Sequence, residues 1–291
     1  MQTRRPIVAG QFYPGDRDSC VEEIRGYLAG ETPSESLPGT IVAGIVPHAG
    51  WAFSGALAAM VFSAVSRQHE HVDSFVIFGA AHSYYGRSPA VYDGGTWGTP
   101  LGEVAVDEEL ADAVLGSQAA KSEPDAHAHE HSIEVQIPFI QHLFAGAKIL
   151  PIIVPPAEQA VALGANVGDI IGRDKEKRIV CIGSTDLTHY GPRYGFTPMG
   201  LGRQALEWAT EVNDREFIEL ALKLAPERLL SSAASNGNAC GPGAAAATVA
   251  AARALGRTKG VLLAHTNSNE VMLRDMGTTG QDSVGYAAMV F

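Results

Sequence analysis

The sequence is poor in cysteine and in charged residues. It holds three cysteines in 291 residues, and only 18% of its residues are charged. Cys20, Cys181 and Cys240 are few and widely spaced, so they form no disulfide framework of the kind that supports small secreted domains. With 46% hydrophobic residues and this length, the chain has ample material for a hydrophobic core instead.

Basic runs and long apolar runs are missing as well. Lysine and arginine total 21 against 32 acidic residues, a formal net charge of -11, so nucleic acid and anionic membranes would be repelled. No apolar stretch approaches the roughly 18 residues of a membrane span. The N-terminal stretch MQTRRPIVAGQFYPG has arginines but no apolar segment after them, which is not typical of a signal peptide. We therefore expect a cytoplasmic protein whose partner is a small molecule or a peptide, with no nucleic acid and no membrane; the oligomeric state stays open.

Strand-like and helix-like segments alternate along the chain. Strands are predicted at 40–47, 73–80, 148–154, 178–183, 260–268 and 283–291. Helices are predicted at 54–65, 107–115, 131–144, 157–171, most of 202–233 and 241–255. This alternation predicts an α/β fold, a single three-layer α/β/α domain over residues 1–291 with a mostly parallel sheet.

Three local features refine this prediction. Ser54 is a plausible N-cap for the helix that begins there, and Pro138 is expected to kink the helix at 131–144. The glycine- and proline-rich segment 88–104 is expected to form an antiparallel hairpin inserted at the sheet edge. No phosphate-binding glycine motif follows the first strand, which argues against a GTPase or a dinucleotide-binding protein.

Histidines follow three of the predicted strands. His48 lies in PHAGWAFSG, His82 in GAAHSYYG, and Asp186 and His189 in GSTDLTHYG. Ligands of open α/β sheets gather beyond the carboxyl ends of the strands, so these side chains converge if the strands are neighbours. A single histidine after a strand is usually structural, but three in equivalent places indicate a site, and the flanking glycines permit close approach of a ligand.

Cys240 immediately precedes the helix that begins at Gly241, in NACGPGAAA. The positive end of a helix dipole lowers the pKa of a thiol, and a thiolate near neutral imidazoles is a good ligand for a transition metal. Two alternatives stay open: a small residue beside the helix start, or a nucleophile. Cys20 and Cys181 are expected to be buried structural residues.

A second histidine cluster lies in EPDAHAHEHSIEVQ. His127, His129 and His131 alternate, so on a strand they would share one face and bind zinc by themselves. The helical pattern that follows favours a loop instead. Glu130 and His131 are then expected to reach the main pocket as acid–base or supporting groups. His127 and His129 are expected to be exposed polar residues.

These motifs together resemble one known family. PHAGWAFSG, GAAHSYYG, EHSIEVQIPF, GSTDLTHYG and NACGPGAAA, in this order, are similar to the Memo family, also called system protein B of the AmmeMemoRadiSam set. The opening AGQFYPGD and the closing SVGYAAMVF fit as well, so the resemblance covers the chain from about residue 6 to residue 291.

The resemblance implies the fold of class III extradiol dioxygenases, in which two histidines and a carboxylate hold Fe(II). It assigns His48 and His82 as metal ligands and places Cys240 where the carboxylate stands. It makes His189 the acid–base residue, with Asp186 beside it in the pocket. The implied cofactor is iron or copper, with zinc also possible, because a thiolate is softer than a carboxylate. Family members are associated with redox activity, and the animal member with motility signalling and phosphopeptide binding.

Three hypotheses for the function follow. The first is a metal-dependent oxidoreductase, related to the dioxygenases, of unknown substrate. The second is a non-catalytic peptide-binding or scaffold protein with the same fold. The third is a cysteine-dependent hydrolase in which Cys240 is the nucleophile, His189 the base and Asp186 its orienting group. The first is favoured because the third leaves His48 and His82 without a role.

Overall fold

The computed structural model describes residues 3–30, 37 and 39–291. Its strands are β1 (Thr3–Arg4), β2 (Ala43–Val46), β3 (Ser74–Gly79), β4 (Ala90–Val91), β5 (Thr96–Thr99), β6 (Gly102–Ala105), β7 (Lys121–Ser122), β8 (Lys148–Ile153), β9 (Ile179–Ser184), β10 (His189–Tyr190), β11 (Val261–Asn267) and β12 (Ser283–Val290).

The helices alternate with these strands. They are α1 (Arg17–Leu28), α2 (Trp51–Gln68), α3 (Glu108–Gly116), α4 (Ile137–Leu143), α5 (Gln159–Arg173), α6 (Arg203–Trp208), α7 (Arg215–Leu222), α8 (Pro226–Asn236), α9 (Pro242–Ala254) and α10 (Ser268–Met276). A π-helical segment, Ala209–Asp214, joins α6 to α7.

One large, mostly parallel sheet organises the molecule. Its order is β10-β12-β2-β9-β3-β8-β4-β7, and β11 pairs with β12. The central strands β2, β9, β3 and β8 run parallel, while β12 and β4 pair with them in antiparallel fashion. The carboxyl ends of β2, β9 and β3 therefore lie side by side at one edge.

Helices cover both faces of this sheet, which confirms the predicted α/β/α layers. Helices α1, α2 and α4 pack on one face, and α3, α5, α7, α8 and α9 on the other. Helix α5 packs very closely on the alanine-rich α9. A Cβ on Gly164 of α5 would lie only 2.0 Å from the Ala247 carbonyl oxygen, so this approach requires glycine. Within the described residues, two large apolar clusters, one on each face, form most of the core, and a small third cluster surrounds Tyr190.

The predicted hairpin exists, but its place differs from the expectation. Strands β5 and β6 form an antiparallel hairpin, which joins β1 in a separate three-stranded sheet. Only the two-residue β4 of segment 88–104 extends the edge of the main sheet.

Two predicted helix starts were wrong. Helix α2 begins at Trp51 with Gly50 as its N-cap, and the Ser54 hydroxyl donates to the Ala49 carbonyl from within the first turn. The helix predicted at 131–144 begins only at Ile137, after a short 3₁₀ turn. Proline suits the first turn of a helix, where its missing N–H costs nothing, so Pro138 marks the start rather than a kink.

Candidate metal centre

The three strand ends that carry histidines meet as predicted. His48 lies two residues beyond β2, His82 three residues beyond β3, and Asp186 two residues beyond β9. Because β9 lies between β2 and β3 in a parallel array, their carboxyl ends open onto one space.

His48 is buried, and its surroundings fix which ring nitrogen carries hydrogen. Its Nδ1 lies 3.0 Å from the Ser184 hydroxyl. That hydroxyl donates to the Ser132 carbonyl at 2.7 Å and accepts from the Gln136 side-chain amide at 3.2 Å. The hydroxyl hydrogen is thus already used, so Nδ1 of His48 must donate and its Nε2 keeps a free lone pair. Burial lowers the pKa of His48 to about 4, which keeps the ring neutral at physiological pH.

Glu130 fixes the position of the ring hydrogen in His82. Its Oε1 accepts from His82 Nδ1 at 3.0 Å and from the Ser132 N–H at 2.8 Å, while Oε2 accepts from the His82 N–H at 3.0 Å. Burial would raise the pKa of Glu130, but the hydrogen bond and charge of His82 and the Ser132 N–H outweigh it and hold that pKa at about 2. An ionised carboxylate only accepts, so Nδ1 of His82 carries hydrogen, and the Nε2 of the neutral ring has a free lone pair. Burial would lower the pKa of His82, but the hydrogen bond and charge of Glu130 outweigh burial and raise this pKa.

His131 joins these two imidazoles. Its ring stacks on that of His82 with centroids 4.9 Å apart, and it lies 5.4 Å from that of His48. One ligand-type atom from each of the three histidines lies within 4.8 Å of the others. The Nδ1 atom of His131 is 3.8 Å from Glu130 Oε1, too far for a hydrogen bond. His131, predicted as a supporting or acid–base group, therefore also lies within reach of a metal bound by His48 and His82.

Cys240 and Asp186 form a second group with His48. The Cys240 sulfur lies 3.1 Å from His48 Nε2 and accepts from the Asp186 N–H at 3.3 Å. The Asp186 carboxylate accepts from the N–H groups of His48 and Ala49, at 2.7 and 3.3 Å, beside the start of α2. Burial would raise the pKa of Asp186, but the neighbouring imidazoles and the His48 N–H lower it on balance. His82 and Cys240 thus fall in separate groups that share His48.

The expectation of an acidified thiol was wrong. Burial and the nearby Asp186 charge raise the pKa of Cys240 above its ordinary value, so the start of α9 does not decide it. Without a metal, the thiol keeps its proton and donates it to the free Nε2 of His48. Binding of a metal through sulfur must therefore release a proton from Cys240.

His189 faces the same space from β10. Its Nε2 is buried and has no hydrogen-bond partner within the described ranges, and it lies 3.9 Å from Asp186 Oδ2. The hydrolase hypothesis assigned the base to His189. The imidazole in contact with the Cys240 sulfur is that of His48 instead.

A cavity of about 700 Å³ opens in front of these groups. Its walls are mostly apolar, although Arg193 and Asp282 also line it. The apolar lining includes Phe12, Phe53, Met272, Val284 and Tyr286. A cavity of this size suits a small molecule or one side chain of a peptide. A larger cleft, about 810 Å³, lies at the opposite end of the strands around Asp73 and Arg178, away from His48 and His82.

The alternating histidines do not form a zinc site of their own. His127 is buried, contrary to expectation, with its Nε2 on the Ala90 carbonyl at 3.1 Å, and burial lowers its pKa to about 3. His129 is exposed, as predicted. In the described parts of the chain, neither belongs to a group that could hold a metal. Cys20 and Cys181 are fully buried, as predicted.

Sequence reasoning missed the groups that orient the ligands. Ser184 accepts from His48, and Gln136 in turn donates to Ser184, but a serine at a strand end and a glutamine in a helical pattern are too common to single out. The backbone N–H groups of His48 and Ala49 orient Asp186. Because every residue except proline has such a group, they leave no signal in the sequence.

The donor set fits a transition metal. Two imidazoles whose Nδ1–H groups are fixed, so that Nε2 is the atom left for a metal, are the arrangement in which protein histidines ligate metals, and the carboxylate partner of His82 is a common orienting group. A thiol sulfur and a carboxylate adjoin them. Nitrogen and sulfur donors favour iron, copper or zinc over magnesium or calcium.

Fold and site together define an α/β/α protein with a candidate transition-metal centre at the carboxyl edge of its sheet. The chain belongs to the Memo family, since the family model described as Memo-like protein matches residues 4–290. It is 37% identical to a MEMO1 family protein of Methanosarcina acetivorans, over 100% of this chain and 99% of that protein. It is 36% identical to MEMO1 family proteins of Thermococcus onnurineus and Pyrococcus furiosus, over 99% of this chain and 99% and 98% of theirs.

No helix within the described residues has the length and apolar character needed to cross a lipid bilayer.

Proposed function

We propose that this protein is a metal-dependent oxidoreductase that binds iron or copper through His48, His82 and Cys240. The observation that carries the proposal is the fixed orientation of His48 and His82. Each ring donates its Nδ1–H to a buried acceptor, and each leaves Nε2 free. Metal-ligating histidines almost always donate their other ring N–H to such an acceptor, which fixes the tautomer and the ring orientation.

His131 and Asp186 lie close enough to complete the coordination or to exchange with the other ligands. A bound iron or copper ion would supply one-electron chemistry and open positions for oxygen or substrate. His189, with its unpartnered Nε2 beside Asp186, is the group placed to move a proton to or from a ligand in the cavity. The apolar walls around Phe12, Phe53 and Tyr286 would exclude water from that ligand.

The test is metal loading of wild-type and variant proteins. After anaerobic reconstitution with Fe(II) or Cu(I), elemental analysis is expected to find about one equivalent in the wild type. Cys240→Ala should lose most of it. Cys181→Ala is the control, because Cys181 is also a free cysteine but is fully buried within β9, away from the candidate ligands. A wild type without metal, or a Cys240→Ala variant that keeps all of it, would rule out this ligand set.

Oxygen consumption tests the redox part separately. Metal-loaded protein is expected to consume oxygen with a panel of small phenols, and His189→Ala should slow this reaction while it retains the metal. Metal binding without turnover on any phenol would favour the alternative of a non-catalytic binding protein. One observation speaks for that alternative, namely that the Cys240–His48 hydrogen bond gives the site a satisfied state without metal.

A further inference from the structure

The helix from α6 to α7 is interrupted by the π-helical segment Ala209–Asp214. Its last two residues, Asn213 and Asp214, are polar and almost fully buried, at 2% and 1% exposure. A π-helical turn inserts an extra residue into a helix and rotates the side chains that follow, and such turns occur often near functional sites. Here the rotation turns two hydrogen-bonding side chains inward.

Asp214 holds the loop that carries Asp186 and His189. Its Oδ1 accepts from the N–H of Thr188 at 2.9 Å, and its Oδ2 lies 3.1 Å from Nε2 of His265. Thr188 directly precedes His189. Burial raises the pKa of Asp214, so the carboxylate depends on His265 and Thr188 to remain charged.

Asn213 holds both this loop and the loop that carries Cys240. Its side-chain amide donates to the Thr188 hydroxyl and to the Asn236 carbonyl, each at 3.0 Å. Its own carbonyl accepts from the side chain of Asn238 at 3.2 Å. Asn238 lies two residues before Cys240, so a single helical turn is bonded to both loops.

The two loops meet at the sulfur. The Cys240 N–H donates to the Asp186 carbonyl at 3.2 Å, and the Asp186 N–H donates to the Cys240 sulfur at 3.3 Å. Gly285 closes the arrangement, since it pairs with Leu187 and Thr188, and a Cβ there would lie 2.0 Å from Asp214 Oδ2. A shift of either loop would therefore change how the sulfur faces His48.

We propose that Asn213 and Asp214 are positioning residues, which fix the Cys240 sulfur relative to Asp186 and His189, with His265 as the partner of Asp214. The inference extends the proposed function, because these are the groups of the candidate metal centre. Its test uses metal-free protein, so that it can fail independently of metal binding.

The test measures alkylation of native, chelator-treated protein by iodoacetamide, followed residue by residue by mass spectrometry. Cys240 is half-buried and its sulfur is held against His48 and the Asp186 N–H, so loss of the hydrogen bonds that hold its loop should expose the sulfur further and raise its rate. We expect a rise of about five- to thirtyfold in Asn213→Ala and in Asp214→Ala. Asp214→Asn should restore most of the slow rate, since its amide oxygen still accepts from the Thr188 N–H.

Two controls separate positioning from general destabilisation. Cys181, fully buried in β9, reports global unfolding in the same sample. Asp107→Ala removes another buried aspartate, which caps α3 through the N–H of Leu110 and bonds Ser74, at the other end of β3. This variant should leave the ratio of the Cys240 rate to the Cys181 rate unchanged.

The proposal is overturned if the Cys240 rate rises no more than the Cys181 rate in both alanine variants. Should Asp214→Ala not fold, Asn213→Ala decides the question alone. A wild type that takes up no metal would refute the proposed function, but the alkylation comparison would still be decided by these rates.

Discussion

Replacement of Glu130 by glutamine tests the site most directly, because one carboxylate orients His82 and binds two backbone N–H groups. The pKa of Glu130 is about 2, against an ordinary value of 4.5. A difference of this size corresponds to roughly 3 kcal/mol of folding free energy at pH 7. Glutamine offers a single acceptor oxygen, so part of this free energy is lost because the N–H of His82 or of Ser132 then faces a donor, which by itself costs about 1–3 kcal/mol.

We therefore expect Glu130→Gln to lower the free energy of unfolding of metal-free protein by about 3 kcal/mol at pH 7, measured by urea denaturation. The pKa of Glu130 is depressed in the folded state. Its contribution is thus complete above about pH 4.5 and is lost as the pH falls toward 2, so the difference between variant and wild type should shrink to roughly 1–2 kcal/mol at pH 3. The exposed Glu219, paired with Lys223 on α7, gives the matched control Glu219→Gln, which should change little.

The same variant should weaken metal binding about 10- to 100-fold, because loss of an orienting carboxylate has effects of this order. The reasoning is refuted if Glu130→Gln lowers the free energy of unfolding by less than about 1 kcal/mol at pH 7, or if the difference is the same at pH 3. Unchanged metal affinity would show separately that Glu130 does not orient a ligand.

Three further outcomes follow from other parts of the structure. Gly164→Ala should force α5 away from the Ala247 carbonyl and lower the thermal midpoint, whereas Gly116→Ala, in open space at the end of α3, should not. Glu134→Gln breaks a buried pair with Arg4, so it should cost about 3–5 kcal/mol in urea denaturation, and a loss below 1 kcal/mol would contradict this. Because Glu130 raises the pKa of His82 and burial lowers that of His48, protons should compete with a metal at His82 before they compete at His48 as the pH falls; a pH dependence of the apparent metal affinity that is unchanged in His82→Ala would argue against His82 as a ligand.

Much of the fold follows from the sequence because buried strands and amphipathic helices have different periodicities. The strands at 73–80, 148–154 and 178–183 and the helix at 241–255 were predicted to within about one residue of their observed ends. The errors occurred where local signals were ambiguous. A serine before a run of apolar residues, such as Ser54, resembles an N-cap. The N-cap of α2 is nevertheless Gly50.

The sequence predicts that side chains after several strands converge, but it does not predict how they are arranged. Equivalent places after β2, β3 and β9 follow from sequence, and the parallel neighbours bring them together. The inclusion of His131 in the histidine group, and the separation of His82 from Cys240, depend on how a loop folds across the strand ends. No periodicity encodes such a path.

The sequence by itself determined the alternation of strands and helices, the family, and which imidazoles and which sulfur stand at strand and helix ends. Only the tertiary structure decided their protonation. The start of α9 favours a thiolate at Cys240, but burial and the carboxylate of Asp186, brought from a different strand, raise its pKa instead. A pKa depends on desolvation and on charges a few ångströms away in space, and both are set by parts of the chain that are remote in sequence.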